Sequence, residues 1–276
     1  MKRRAIVTGF GHYLPERIVP NSHFESFLDT SDSWIRSRSG IERRHFAAQG
    51  ETTADMATHA ARAALARAGR TADDVDAVIL ATSTSDLTFP STATTVQADL
   101  GMTRGFAFDI QAVCAGFVYG LANAAALIES GQAERVLVIG AETFSRLMDW
   151  SDRTTCVLFG DGAGALLLEA GEGSGESTDR GVLAADLHSD GRHRDILYVD
   201  GGVSTRTVGH LRMQGREVFR HAVEKLAATA HAAMDKAGVT ATDVDWIVPH
   251  QANIRIIQGT AKKMQMPMDN VIVTVQ

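Results

Sequence analysis

Cysteine is scarce in this chain, with only Cys114 and Cys156 among 276 residues. Two thiols cannot build a disulfide framework, so a stapled secreted scaffold is excluded and a reduced, cytoplasmic setting is expected. Long apolar runs are missing too: none approaches the roughly 18 residues that a membrane span requires, and no membrane contact is expected. The first strand-like run, "RRAIVTGF", starts almost at Met1. That leaves no space for the charged, apolar and cleavage regions of a secretory signal, and none is expected. Runs of like charge are absent and the net charge is −6, which argues against nucleic acid as a partner and confines any basic site to a local patch. No group of His, Cys or acidic residues has ligand spacing, so no metal is expected.

What the chain does have is 45% hydrophobic residues, enough to bury a large core. Short apolar runs ("RRAIVTGF", "DAVILATS", "GFAFDI", "RVLVIGA", "TTCVLF", "GALLLE") alternate with segments of helical spacing, which predicts α/β layering. The clearest predicted helix covers 54–68, where Ala57, Ala60, Ala61, Ala64, Leu65 and Ala68 share a face and Gly69 supplies a left-handed stop.

An internal echo organises the rest. "ALARAGRTADDVDAVI" (64–79) and "AMDKAGVTATDVDWIV" (233–248) repeat the order of helix, Gly stop, acidic turn and strand. Duplication of a half-domain explains this, with the Gly/Ser-rich "GEGSGESTD" (171–179) as the joint. The expected halves are 1–172 and 173–276. After its copy of the echo the first half runs on for about 90 residues and the second for only about 28. The second half is therefore expected to be incomplete at its C-terminus, and the chain to be part of a longer polypeptide.

Two residues carry candidate chemistry. In "FDIQAVCAGFVYGL" a strand delivers the chain to Cys114 at the start of an Ala/Gly-rich helix. Unpaired amides and the positive end of the helix dipole there favour thiolate, which suits a nucleophile; burial as a packing residue is the alternative. His250 follows the predicted strand in "DWIVPHQANIRI", and strand C-terminal ends are where α/β sheets carry their sites. Pseudo-symmetry would turn both residues toward one cavity, although a single histidine is also commonly structural. Cys156, in the predicted strand "TTCVLFG", reads as packing. His12, His45, His59, His193, His210, His221 and His231 read as solvated. "FGDGAGA" (159–165) superficially suggests a phosphate loop, but strand-like "LLLE" follows instead of a helix, so it is read as a tight turn. Arg255, Lys262 and Lys263 share one face of the helix after His250, a basic patch that is either a solvated surface or a dock for an acidic protein.

Taken together, "DTSDSWIRSRSGIERRH", "FDIQAVCAGF", "FGDGAGA", "VPHQANIRI" and "TAKKM" make the chain resemble the β-ketoacyl-acyl carrier protein synthase III family of the thiolase superfamily, from its first strand to its last residue. The resemblance implies an α/β fold of duplicated βαβαβαββ halves in five layers. It implies an acyltransferase in which Cys114 takes an acyl group, with acetyl expected, from acyl-CoA, and His250 then assists decarboxylation of malonyl-acyl carrier protein and carbon–carbon bond formation, starting fatty acid synthesis. By the same resemblance Trp34, Arg38 and Arg153 contact CoA, and Arg255, Lys262 and Lys263 dock the carrier protein. Phe89 enters the acyl pocket of the neighbouring subunit in a homodimer, and no cofactor is needed because the CoA thioester is a substrate. The family's catalytic asparagine lies in a "GNTSA" motif beyond Gln276; neither Asn253 nor Asn270 replaces it by motif. Two other functions fit the same residues: a relative in the superfamily using another acyl donor, for pimeloyl precursors or secondary metabolism, and a non-catalytic fragment that binds CoA or carrier protein.

Overall fold

A computed structural model describes residues 2–276. In chain order the strands are β1 (Lys2–Tyr13), β2 (Arg17–Pro20), β3 (Arg43–Phe46), β4 (Ala77–Ala81), β5 (Phe106–Ile110), β6 (Arg135–Thr143), β7 (Asp161–Gly173), β8 (Leu197–Val199) and β9 (Leu211–Met213). The helices are α1 (Ser22–Glu25), α2 (Asp32–Ser39), α3 (Thr53–Ala68), α4 (Thr92–Asp99), α5 (Gly116–Glu129), α6 (Gly215–Ala237) and α7 (Ile254–Lys263). By packing, the chain divides into one unit of residues up to Arg17, His45–Thr143 and Asp161–Ala185, and a second of Ile18–Arg44, Phe144–Gly160 and Asp186–Gln276. This division follows contact, whereas the boundary near 172 follows the repeat.

The first unit is built on a five-stranded sheet of order β1-β7-β6-β4-β5. Strands β6, β4 and β5 run parallel, and β7 and β1 add on antiparallel. The register aligns Ala81 of β4 with Ile110 of β5 and Gly140 of β6, so these three strands finish along one edge. Side-chain alternation along β6 divides its residues between two cores. Leu137, Ile139 and Ala141 pack with Ala60, Ala61, Ala64 and Leu65 of α3. Val136 and Val138 face Ala124, Ala125 and Ile128 of α5. Leu137, Ile139, Leu167 and Leu168 are fully buried, each contributing about 1.5–3 kcal/mol relative to exposure. Helix α3 lies unusually close to β1: a Cβ on Gly9 or Gly11 would meet the carbonyl oxygen of Ala64 or Ala60 at 2.3 Å.

The second unit holds α2, α6, α7 and the short β8–β9 ribbon. Helix α7 buries Ile256, Ile257, Thr260 and Ala261, and Gly259 lets Val223 of α6 approach to 3.0 Å from where a Cβ would stand. Among the described residues, no helix is long and apolar enough to cross a membrane.

The echo is a repeat of conformation as well as of letters. Gly69 ends α3 at φ 66°, ψ 34°, and Gly238 ends α6 at φ 69°, ψ 30°. Each is followed by a short 3-10 turn with a reciprocal capping box, Thr71 with Asp74 and Thr240 with Asp243. Capping side chains satisfy amides that would otherwise lack partners, which explains why the same letters fold the same way twice.

Three local expectations fail. "TTCVLF" is a run of turns rather than a strand, because Asp152 accepts from the Thr154 and Thr155 hydroxyls and the Cys156 amide bonds back to its carbonyl. Asp161–Ala165 belongs to β7 rather than to a tight turn; it pairs with β1 and β6, where Gly164 sits between His12 and Gly140. The strand expected before His250 reduces to one parallel bridge, Ile247 to Val271.

Candidate active site

The C-terminal edge of β4, β5 and β6 carries the first cluster. After β5 the chain passes through a 3-10 turn, Val113–Ala115, directly into α5. Cys114 thus stands at a helix N-terminus, as its sequence context predicts. Val113 holds φ at 47°, a left-handed value that costs a β-branched residue about 1–3 kcal/mol and marks the turn presenting the sulfur as strained. Small residues let α5 begin close to the sheet. A Cβ on Gly116 would lie 3.1 Å from the Ala81 side chain, and one on Gly140 would lie 3.3 Å from the Phe117 ring.

Sequence reasoning passed over Glu142. It follows Gly140 by two residues on β6 and so shares the α5 face of the sheet with Val136 and Val138. Its carboxylate accepts from the Ser83 amide (2.8 Å), the Thr84 hydroxyl (2.6 Å) and, more distantly, the Thr82 hydroxyl (3.5 Å). Burial raises its pKa, and these donors oppose the rise. The available signal was a carboxylate in phase with buried valines at a strand's C-terminal end.

The electrostatics around Cys114 differ from the expectation drawn from the helix dipole. The residue retains accessible surface, yet its sulfur lies deep enough that loss of water pushes the thiol up; a backbone hydrogen bond at Cys114 opposes this, and the Glu142 charge adds to the rise. These effects together favour the thiol over the thiolate. Cys156 is fully buried, and burial, with a smaller contribution from Asp152, pushes its thiol up to about 11, as fits an inert packing residue.

In the second unit the predicted nucleotide-binding residues come together. The guanidinium carbons of Arg38 and Arg153 lie 5.7 and 5.4 Å from the Trp34 ring centroid. Helix α2, which carries Trp34 and Arg38, is fixed at its start by the Ser31 hydroxyl accepting from the Trp34 amide, and Arg153 also bonds the carboxylate of Asp29 at 3.2 Å. The result is an indole platform with two cations beside it.

His250 lies in the turn between the Ile247 bridge and α7; the residue retains accessible surface, yet loss of water around the ring lowers its pKa and favours the neutral imidazole. Neighbouring amides frame this turn. Gln251 donates to the Pro249 and Ile272 carbonyls and accepts from the Thr274 amide at 2.7 Å. Asn253 caps α7 by accepting from the Arg255 amide and donates through Nδ2 to the Arg38 carbonyl at 3.1 Å. The sequence indicated no role for either amide.

Arg255, Lys262 and Lys263 all project from the exposed side of α7, opposite its buried face. Phe89 is in the first unit, between β4 and α4, and is 82% exposed. A surface hollow of about 280 Å³ lined by Asp76, Phe106, Gln132 and Glu134 lies at the N-terminal ends of β4, β5 and β6, the edge where sheets of this kind do not carry their sites. Among the described residues no group of three His, Cys, Asp or Glu side chains could hold a metal ion.

Comparison with known proteins agrees along the whole chain. Residues 108–191 match the family model described as 3-Oxoacyl-[acyl-carrier-protein (ACP)] synthase III, and residues 234–276 match that family's C-terminal model. A beta-ketoacyl-acyl-carrier-protein synthase III of Ruegeria sp. is 76% identical over 276 residues, covering 100% of this chain and 85% of the relative. One from Cereibacter sphaeroides is 75% identical with the same coverage. The crystal structure of 3-oxoacyl-acyl-carrier-protein synthase III from Aquifex aeolicus superposes with a TM-score of 0.92 at 43% identity, covering 99% of this chain and 84% of that one. The corresponding Pseudomonas aeruginosa enzyme gives 0.91 at 42% identity. The expected thiolase-like α/β fold is borne out by these neighbours.

Proposed function

The chain belongs to the 3-oxoacyl-acyl-carrier-protein synthase III family, and on that premise we propose that it is a condensing acyltransferase that initiates fatty acid synthesis, with Cys114 as nucleophile and His250 as the donor to developing negative charge. The observation that carries the reading is the high identity to synthases of this name across the whole chain, joined to a cysteine at a strained helix start.

In the first half-reaction the Cys114 sulfur attacks the thioester carbonyl of acyl-CoA. The carbon–sulfur bond to CoA breaks and the thiol proton finishes on the departing CoA sulfur, leaving an acyl-cysteine. In the second, malonyl-acyl carrier protein loses carbon dioxide, and the electron pair of the broken carbon–carbon bond becomes an enolate whose oxygen accepts from the neutral His250 N–H. The enolate carbon attacks the acyl-cysteine, the carbon–sulfur bond breaks, and Cys114 regains a proton. A neutral imidazole is the form suited to donate without first carrying charge, and the lowering of the His250 pKa by loss of water favours it.

Trp34, Arg38 and Arg153 suit the adenine and phosphate end of CoA: the ring offers stacking and the guanidinium groups offer charge. Arg255, Lys262 and Lys263 suit an acidic carrier protein. No cofactor is required by this chemistry, and a cytoplasmic setting is in keeping with two unpaired cysteines. A homodimer of duplicated halves is supported by β5, which ends the five-stranded sheet with an unpaired edge, and by the protruding Phe89.

Labelled acetyl-CoA should acylate Cys114, located by mass spectrometry, and should leave a Cys114→Ala variant unlabelled. Labelling at any other residue, or none, overturns the assignment. Labelling by longer or dicarboxylic acyl-CoAs alone would move the chain to another branch of the superfamily.

A further inference from the structure

Two helices of the first unit begin on carboxylates borrowed from elsewhere in the chain, and both carboxylates fasten the same loop. That loop, 82–91, runs from the end of β4 to the start of α4. Asp109, near the end of β5, accepts from the Thr92 and Ala93 amides with its two oxygens, each at 2.7 Å. These are the first two amides of α4, whose own N-cap residue, Ser91, makes no capping bond through its side chain. Asp86, within the loop, does the same for α3: its oxygens accept from the Thr53 amide at 2.8 Å and the Ala54 amide at 2.9 Å. The first amides of a helix have no partner inside it, so a carboxylate that takes two of them fixes itself as well as the helix start. The two clamps meet, because the Asp86 amide donates to the Thr92 hydroxyl at 3.3 Å and closes the base of the loop. What lies between is an exposed tip, 87–90, in which Leu87 is 59% and Phe89 82% exposed. Side chains so open to water make few contacts within their own subunit, so the place of the tip is set at its base.

We infer that Asp86 and Asp109 are positioning residues for acyl-chain selectivity: together they lock the loop base, so that the tip bearing Leu87 and Phe89 stands as a stiff prong whose reach limits the acyl chain that Cys114 takes. The inference rests on the proposed synthase reading, and on Phe89 entering the acyl pocket of a neighbouring subunit as the family resemblance implies. Asp109 and Cys114 belong to one strand-to-helix passage, β5 into α5, so the strand that presents the sulfur also anchors the prong.

Acylation of Cys114 by acetyl-CoA and by hexanoyl-CoA, followed by intact mass on the full chain, tests this. Asp109→Asn keeps the shape but turns one acceptor into a donor that faces an amide. In the variant the ratio of the hexanoyl to the acetyl rate should rise about tenfold, the discrimination that one methylene contact in a pocket carries. An unchanged ratio, or a fall, overturns the inference. Adding Ser91→Asp to this variant separates positioning from stability. The new carboxylate caps α4 from its own N-cap position, so it should restore the melting temperature and leave the ratio raised. A ratio that returns together with the melting temperature marks Asp109 as a helix cap alone and overturns the inference. Thr92→Val is milder: it opens the bond at the loop base and leaves both carboxylates in place. Its ratio should rise in the same direction, and no rise counts against the prong. Hydrogen exchange reads the clamp without any acyl donor: the Thr92 and Ala93 amides should exchange about tenfold faster in Asp109→Asn, with those of α5 unchanged. Equal exchange in the two proteins overturns the clamp. Failure of the synthase reading would appear separately, as faster exchange in the variant of a protein whose unsubstituted form neither donor acylates.

Discussion

Replacing Trp34 with alanine tests the nucleotide platform directly. The indole is half-buried on α2 with the Arg38 and Arg153 guanidinium groups within 5.7 Å of its centroid. Stacking of a base on an aromatic ring is worth about 1–3 kcal/mol, which converts to a rise in the KM for acyl-CoA of about 5- to 150-fold. Loss of the cation contacts is a smaller effect, about 0.5–1 kcal/mol at an exposed site, and it falls on the free protein. The informative comparison is with an acyl-pantetheine thioester, which has the same reacting carbon and no nucleotide. Acylation of Cys114 by acyl-CoA should weaken in the variant, while acylation by acyl-pantetheine should keep its rate. Equal losses with both donors would mean that Trp34 acts by supporting the fold, and no loss with either would remove it from the site. A thermal melt alongside separates the first of these outcomes from general unfolding.

Reversing Lys262 and Lys263 to Glu should raise the KM for malonyl-acyl carrier protein while sparing that for acyl-CoA, and the rise should shrink as salt screens the surface; steady-state kinetics at two ionic strengths check both points. His250→Ala should retain acyl transfer to Cys114 and lose decarboxylation, measured as release of carbon dioxide. Because burial lowers the His250 pKa, decarboxylation should hold as pH falls through the ordinary histidine value of about 6.5 and decline only below it. The same group makes stability pH-dependent: the unfolded chain takes up a proton first, so its contribution is complete above about 6.5 and is lost as pH falls through the lower folded value. A stability profile flat over that interval in wild type, or identical in the alanine variant, refutes the assignment.

Much of the framework was legible in the residues themselves. The α3 stripe, its glycine stop and the second copy at α6 follow from short-range rules, because a left-handed glycine and a capping threonine act over a few positions. Long-range partners were not legible. "TTCVLF" has strand composition, but a competing turn around Asp152 prevails. The Gly-rich run of β7 looks like a turn until β1 and β6 are known to flank it. The place of Cys114 at a helix start was legible, whereas the direction of its pKa shift depends on burial and on a carboxylate 28 positions away in sequence. Glu142 gave little warning because its partners, Ser83 and Thr84, follow a different strand.

The hydrogen bond from Asn253 to the Arg38 carbonyl has a practical consequence for anyone reshaping this protein. One amide ties the helix that carries the indole to the turn that carries the imidazole, so under the proposed roles of Trp34 and His250 donor selectivity and bond-forming competence would be mechanically yoked. Altering α2 to admit a bulkier cofactor-like thioester will tug on that turn as well. Libraries directed at the first property therefore need to be screened for the second.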